Sequence, residues 1–273
     1  MAKNISITTV TDSLIMTNSL PTITTKQQEI LKLIYRYRFL NRTQIQTILG
    51  HKDKRRIISW LKDLRDKQYV DWHYDATDFI AKSKPGIYYL SLNGTRYLRG
   101  LNHYPSQELR KRYKEPERTQ TFIDRCLLTA DCCITLRDSS KDGVEYSYIL
   151  PADYVGLDNE YSFLDELRPQ LYFSKRKDDG NTSYLLESFD ATLPRYQLRK
   201  RLKDYMDFLD ELSETNKPYP IALFVCATTA DLLYVKRRMK KSIEDEDGAM
   251  QVRVTTLDKI KASGVASTIW EEV

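Results

Sequence analysis

The chain has 273 residues, 41% of them hydrophobic and 30% charged, with 43 Lys+Arg against 38 Asp+Glu and a formal net charge of +5. That length favours two domains over one, and no run approaches the ~18 apolar residues of a membrane span. The first residues, MAKNISITTVTDSLIMTNSLP, lack the apolar core of a signal peptide, and Cys126, Cys132, Cys133 and Cys226 with three isolated histidines lack the ligand pairs of a zinc site. A cytoplasmic protein with reduced thiols, no membrane partner and a flexible N-terminal arm over residues 1–22 is expected.

The charge is uneven. Residues 26–118 carry 21 basic against 10 acidic side chains, and residues 119–273 carry 21 against 27. A basic front half beside an acidic back half points to a polyanion as the partner of the front half.

In chain order, Thr24 or Thr25 is placed to cap a helix from Lys26 to about Phe39, with Ile30, Leu33, Ile34 and Tyr37 at helical spacing. Asn41 caps a short second helix with Ile45, Ile48 and Leu49, which Gly50 stops. A third helix spans about Asp53 to Lys67, with Ile57, Ile58, Trp60, Leu61 and Leu64 as its apolar face. Lys54, Arg55, Arg56, Ser59 and Lys62 fall largely off that stripe, mostly near the N-terminal end where amide dipoles favour phosphate. Two strands follow, YVDWHYD and Gly86–Leu90, joined by the polar connection ATDFIAKSKP with Lys82 and Lys84. Ser91 to Gly94 leads into a helix near Thr95. The basic run over residues 109–116 reads equally as a flexible charged linker or as a source of extra phosphate contacts.

From Thr119 the pattern changes. Phe122, Ile123, Cys126, Leu127, Ala130 and Ile134 predict a helix, ended by the turn from Asp138 to Gly143. Strands are predicted at Glu145–Leu150, Arg168–Phe173 and Ser183–Ser188, the last two joined by SKRKDDGNT. An amphipathic helix from Tyr196 to Leu212 precedes the apolar run Ile221–Cys226, which reads as a strand covered on both faces. A helix from about Ala230 to Lys241, an acidic turn over Glu244–Gly248, a strand from Val252 and a short helix near Leu257 complete an α/β (α+β) pattern.

Helix, helix, helix, strand, lysine-bearing tip, strand, with LRDKQYVDW followed by YYLSLNGTRYL, resembles winged-helix domains. The resemblance implies a third helix in the major groove of double-stranded DNA and a tip on the flanking backbone. Helix, three strands, helix, strand resembles the core of PD-(D/E)XK nucleases. A winged helix followed by that core resembles the replication-relaxation family of plasmid, phage and mobile-element proteins, on Arg168-Pro169, Leu186-Glu187 and the helix LRKRLKDYMDF. It implies an arm at 1–22, a winged helix-turn-helix at 23–105, a basic linker at 106–118 and a nuclease-like domain at 119–273.

Such a nuclease holds a divalent cation between carboxylates at the ends of two adjacent strands, with a lysine nearby. Here Gln170 stands at the first carboxylate position, Glu187 at the second, and Phe189 where a Lys or Asp belongs on the same strand face. Asp190, Lys200 or Arg201, and Asp165 or Glu166, are the available substitutes. The candidate catalytic set is thus Glu187, Asp190 and Lys200, with Glu187 and Asp190 as ligands only if Mg2+ is used; Glu187 paired with Lys200 or Arg201 is the structural alternative. The expected reading is a DNA-binding protein with no resident cofactor, whose non-cutting core serves a homodimer or a replication or mobilisation protein. An active Mg2+-dependent endonuclease and a transcriptional regulator with a sensing back half are the alternatives. No histidine pair of relaxase type and no Gly-x-x-x-x-Gly-Lys loop occurs.

Overall fold

The computed structural model describes residues 20–154, 157, 161, 163–178, 180–213, 220–245 and 251–273. Its first helix, α1 (Thr25–Tyr37), starts at a reciprocal cap in which Thr24 accepts from the Gln27 amide and the Gln27 side chain accepts from the Thr24 amide at 2.8 Å. Asn41 and Gln44 repeat the device at α2 (Arg42–Ile48), and Asp53 caps α3 (Lys54–Asp66). α3 buries Ile57, Leu61 and Leu64. Ile58, read as part of that face, is exposed, because one residue turns ~100° around the helix axis.

Strands β2 (Val70–His73) and β3 (Ile87–Leu90) pair antiparallel, with Val70 opposite Leu90, and the two-residue β1 (Leu40–Asn41) flanks β3 in the order β1-β3-β2. The connection read as purely polar contains a helix, α4 (Phe79–Ser83), started by the Asp78 side chain accepting from the Ala81 amide at 2.7 Å. At the start of α5 (Leu92–Gly100), Gly94 packs so tightly that a Cβ would lie 2.2 Å from the Tyr69 carbonyl oxygen.

Both ends of this unit are tied down. Tyr69 donates to the Pro21 carbonyl and Lys67 Nζ to the Thr22 carbonyl at 2.9 Å, so the expected arm is anchored at its last residues; residues 1–19 lie outside the described ones. The basic run is folded as α6 (Ser106–Lys111) and a 3-10 turn (Arg112–Glu117), with Leu109, Arg112 and Glu115 buried. A flexible tether there is ruled out by this burial, which Glu115 makes tolerable by accepting from Arg38 and lying 3.6 Å from Arg112 and Arg118.

Helix α7 (Gln120–Asp138) leads into a second sheet of six strands in the order β4-β5-β6-β7-β8-β9. These are β4 (Glu145–Ile149), β5 (Leu171–Lys177), β6 (Gly180–Phe189), β7 (Ile221–Cys226), β8 (Val252–Thr256) and β9 (Glu271–Glu272). β6, β7 and β8 run parallel and the other pairs antiparallel. β5 and β6 outrun their predicted lengths: Lys177 pairs with Gly180, so most of the presumed connection is strand. The helices are α8 (Phe163–Leu167), α9 (Arg195–Ser213), α10 (Thr229–Asp245) and α11 (Leu257–Ser263). Of the acidic turn, residues 246–248 lie outside the described residues.

Alternation sorts the sheet's two faces. Leu186, Leu223 and Val225 join Cys132, Cys133 and Leu136 of α7, in a cluster that continues into Ile30, Ile34 and Leu61 of the front half. Leu185, Phe189, Phe224 and Cys226 face Leu202, Tyr205, Val235 and Met239 of α9 and α10. Polar contacts reinforce the join between the halves. Arg36 Nη2 reaches Asp153 at 2.7 Å, the Tyr37 and Tyr148 hydroxyls meet at 3.0 Å, and Gln44 Nε2 donates to Asp131 at 2.7 Å.

Burial pushes the Cys132 and Cys226 thiols up to about 12. Their thiolate fraction at pH 8 is then about a thousandfold below that of an exposed cysteine. Iodoacetamide at pH 8 should leave both unmodified in the native protein and label them after denaturation, as read by peptide mass spectrometry. Among the described residues no helix is long and apolar enough to cross a membrane.

Candidate nucleic-acid interface and the Glu187 cluster

Away from Ile57, Leu61 and Leu64, α3 carries Arg55, Arg56, Ser59 and Lys62, and Lys54 stands at its first residue. All five are exposed, as are Lys82 and Lys84 beside the tip helix. None of these seven side chains makes a hydrogen bond or ion pair among the described residues. Some other surface cations are paired, as in Lys26–Glu29, Lys67–Asp63 and Lys203–Asp207. The basic face is therefore open and is not packed on the acidic back half.

A stack fixes the β2–β3 ribbon to α3. The Arg65 guanidinium lies 4.0 Å over the Trp72 ring, Trp72 stacks on Tyr74 at 4.7 Å, and the Tyr74 hydroxyl donates to the Lys82 carbonyl at 3.2 Å. The tip is thus held against the helix that precedes it by a cation–π contact and a ring stack.

In the second sheet, Glu187 sits near the end of β6 and is 2% exposed. Its Oε2 accepts from Arg201 Nη2 at 2.6 Å, Arg201 Nε at 3.2 Å and the Tyr205 hydroxyl at 3.0 Å. Its Oε1 accepts from Arg125 Nη2. Arg201 also donates to the Leu167 and Arg168 carbonyls at 2.8 and 3.0 Å, clamping α9 to the chain ahead of β5. Burial, and then the charge of Glu187, push the Tyr205 phenol well above its usual range, so it stays a neutral donor.

Gln170 completes the cluster. Its oxygen accepts from the Ser188 amide at 2.9 Å, the Ser188 hydroxyl at 2.6 Å and Arg125 Nε at 3.1 Å, while its nitrogen donates to Thr129 at 2.9 Å. An amide does here what a carboxylate cannot, because Thr129 needs a donor and Ser188 an acceptor. Gln170 and Glu187 are brought together through Arg125.

The other candidates are not drawn in. Asp190 follows the end of β6 and turns its carboxylate to the Thr192 amide at 2.8 Å and to the Thr192 hydroxyl. Lys200 is exposed on the rim of a cleft of about 470 Å³ that Arg125, Arg168, Glu187, Asp190 and Arg201 also line. Asp165 pairs with Arg168 at 2.6 Å, Glu166 is exposed, and Phe189 packs on Phe224 in the core.

This donor set does not fit a divalent cation. A metal needs several free oxygens, whereas both oxygens of Glu187 are occupied by guanidinium and phenol donors. No three His, Cys, Asp or Glu side chains gather to hold a metal among the described residues. Arg125 and Tyr205 are the members that sequence reasoning missed. Their signal was the helical spacing: Arg125 and Thr129 lie one turn apart on α7, as do Arg201 and Tyr205 on α9.

No curated protein has a significant match to this sequence. Two solved structures of the restriction endonuclease FokI are similar to it: the DNA-bound form, at 14% identity over 88% of this chain with a TM-score of 0.29, and a form described without DNA, at 12% over 92% with the same TM-score. The chain spans about half the length of those two, covering 45% and 47% of them, and the likeness is too distant to carry an argument. The family model described as replication-relaxation matches residues 31–219, from α1 to beyond α9, so that it takes in both the three-helix unit and the Glu187 cluster. On that match, over more than two thirds of its length, the chain belongs to the replication-relaxation family.

Proposed function

We propose that the chain binds double-stranded DNA through the exposed face of α3 and the β2–β3 wing. In this reading residues 23–105 form the DNA-reading unit and residues 119–273 a nuclease-like body that does not cut. That body offers a surface to a second copy or to a replication or mobilisation protein in the cytoplasm of a host carrying a plasmid, phage or other mobile element. The observation that carries the reading is the set Lys54, Arg55, Arg56, Lys62, Lys82 and Lys84, all exposed and without ion pairs among the described residues. Side chains so placed neutralise phosphates and release counterions, which gives affinity without sequence. Arg55 or Arg56 adds sequence preference where it forks onto a guanine edge.

Fluorescence anisotropy with a random 20-base-pair duplex tests this. The double substitution Arg55→Ala, Arg56→Ala should weaken binding by about 1–3 kcal/mol, or roughly 5- to 150-fold, if either arginine reads a base. If both sit on phosphates, it should weaken binding and lower the salt slope by about 1 per arginine. Affinity equal to that of the unsubstituted chain would remove α3 from the interface.

The nuclease-like body lends itself to a separate check. Because Glu187 is already bound to Arg125, Arg201 and Tyr205, supercoiled plasmid should survive incubation with the protein in Mg2+ or Mn2+. Likewise 10 mM MgCl2 should leave the Tm of the protein alone unchanged, since a ligand that binds the native state raises it. Nicking that disappears in Glu187→Gln would instead favour the endonuclease.

A further inference from the structure

The wing carries two large apolar side chains that the duplex-binding reading leaves unused. Phe79 is 87% and Ile80 71% exposed, the two most solvent-open large hydrophobic residues described. They are adjacent on α4 and lie at the tip of the ribbon, a place where soluble proteins rarely show a bare apolar patch.

Their backbone is held firmly. Asp78 caps α4, Ala81 on the same short helix is buried, the Ser83 hydroxyl donates to the Ile80 carbonyl at 2.7 Å, and Tyr74 bonds the Lys82 carbonyl. At the base of the wing Gly86 lies flat on Trp72, where a Cβ would come within 2.5 Å of the ring. The two carboxylates of the tip are engaged locally, Asp75 by Thr77 and Asp78 in the cap, whereas Lys82 and Lys84 make no ion pair among the described residues. A rigid apolar point is therefore flanked by the exposed Lys82 and Lys84, the latter near Asp75, and stacked through Trp72 onto the basic helix α3.

Resting on the duplex-binding reading above, we infer that Phe79 and Ile80 form a wedge that enters the minor groove and partly unstacks a base step when α3 and the wing engage DNA. The occupant of this patch is duplex DNA because the patch is continuous, through the Trp72 stack on Arg65, with the exposed cations of α3, which an apolar protein partner would leave desolvated. Apolar side chains inserted between base pairs open the stack and kink the duplex, while lysines beside them hold the phosphates. The wing then deforms the site as well as positioning the protein, and pyrimidine–purine steps, which open most easily, are preferred beneath it.

The test reads binding and deformation separately. A nicked plasmid is sealed by ligase at saturating protein, the protein is removed, and the topoisomers are resolved on a gel; anisotropy with the random duplex reports affinity in parallel. Unstacking lowers twist, so the unsubstituted protein should leave a linking deficit. Phe79→Ala with Ile80→Ala should abolish that deficit, with unchanged Tm and a loss of affinity within about tenfold. Binding without any topoisomer shift, or a shift that survives the double substitution, overturns the wedge and leaves the duplex-binding reading standing. No duplex binding by the unsubstituted protein overturns both. A dimer in sedimentation that the double substitution dissociates would make the patch a self-association surface and also overturn the wedge.

Discussion

Glu115→Ala should destabilise the protein by about 4–5 kcal/mol, as read from urea unfolding, and Glu115→Gln by clearly less. Glu115 is fully buried and accepts from Arg38 Nε at 2.8 Å and Arg38 Nη2 at 3.0 Å, with Arg112 and Arg118 each at 3.6 Å. Removing the carboxylate leaves Arg112, itself only 2% exposed, buried without its ion-pair partner. Burial, with the nearby Arg38 adding to it, already pulls the Arg112 guanidinium below its usual range, against the opposing pull of Glu115. The amide of Gln still accepts from Arg38, which is why it should rescue part of the loss. A Glu115→Ala protein as stable as the unsubstituted one would mean that the segment between the halves is held by packing alone.

The second large effect is expected at Glu187, where Ala should cost about 3 kcal/mol, the low end of what breaking a buried ion pair costs. The discount follows from exposure, since Arg125 is 41% and Arg201 25% exposed in their side chains and both can partly rehydrate. Tyr205 cannot, and its hydroxyl loses its acceptor in the core. The loss should be the same with and without Mg2+. A metal ligand would behave differently, because removing a carboxylate from an apo metal site relieves repulsion between like charges. Equal or greater stability in Glu187→Ala would therefore return the residue to a metal role.

Much of this arrangement was legible in the sequence, and the limits were physical. Thr24 or Thr25 and Asn41 announced their helices because a cap needs only local geometry, and Thr24 is the one that caps the first. The apolar run Ile221–Cys226 announced a strand covered on both sides. The α3 cations were found because charge opposite a helical apolar stripe has few places to go. What the sequence hid were contacts between distant residues. Glu115 lies within a run of Arg and Lys that reads equally as flexible linker or as phosphate contacts, and its contact with Arg38, at the end of α1, helps fix the run. Arg125 lies on a helix read for its apolar residues, and its partners Gln170 and Glu187 come from two strands. α4 was missed because a five-residue helix leaves no periodicity. Gln170, by contrast, was flagged at once as a departure from the carboxylate pattern, and its hydrogen bonds give that departure a structural reason.

Lysine footprinting by acetylation and mass spectrometry, with and without a saturating random duplex, tests the DNA-binding proposal most directly. It asks which face of the folded protein DNA covers. Lys54, Lys62, Lys82 and Lys84 should be protected by DNA, while Lys200, exposed on the rim of the Glu187 cleft, should react at an unchanged rate. Protection of Lys200 with Lys54, Lys62, Lys82 and Lys84 still fully reactive would contradict the proposal, placing the nucleic acid in the Glu187 cleft.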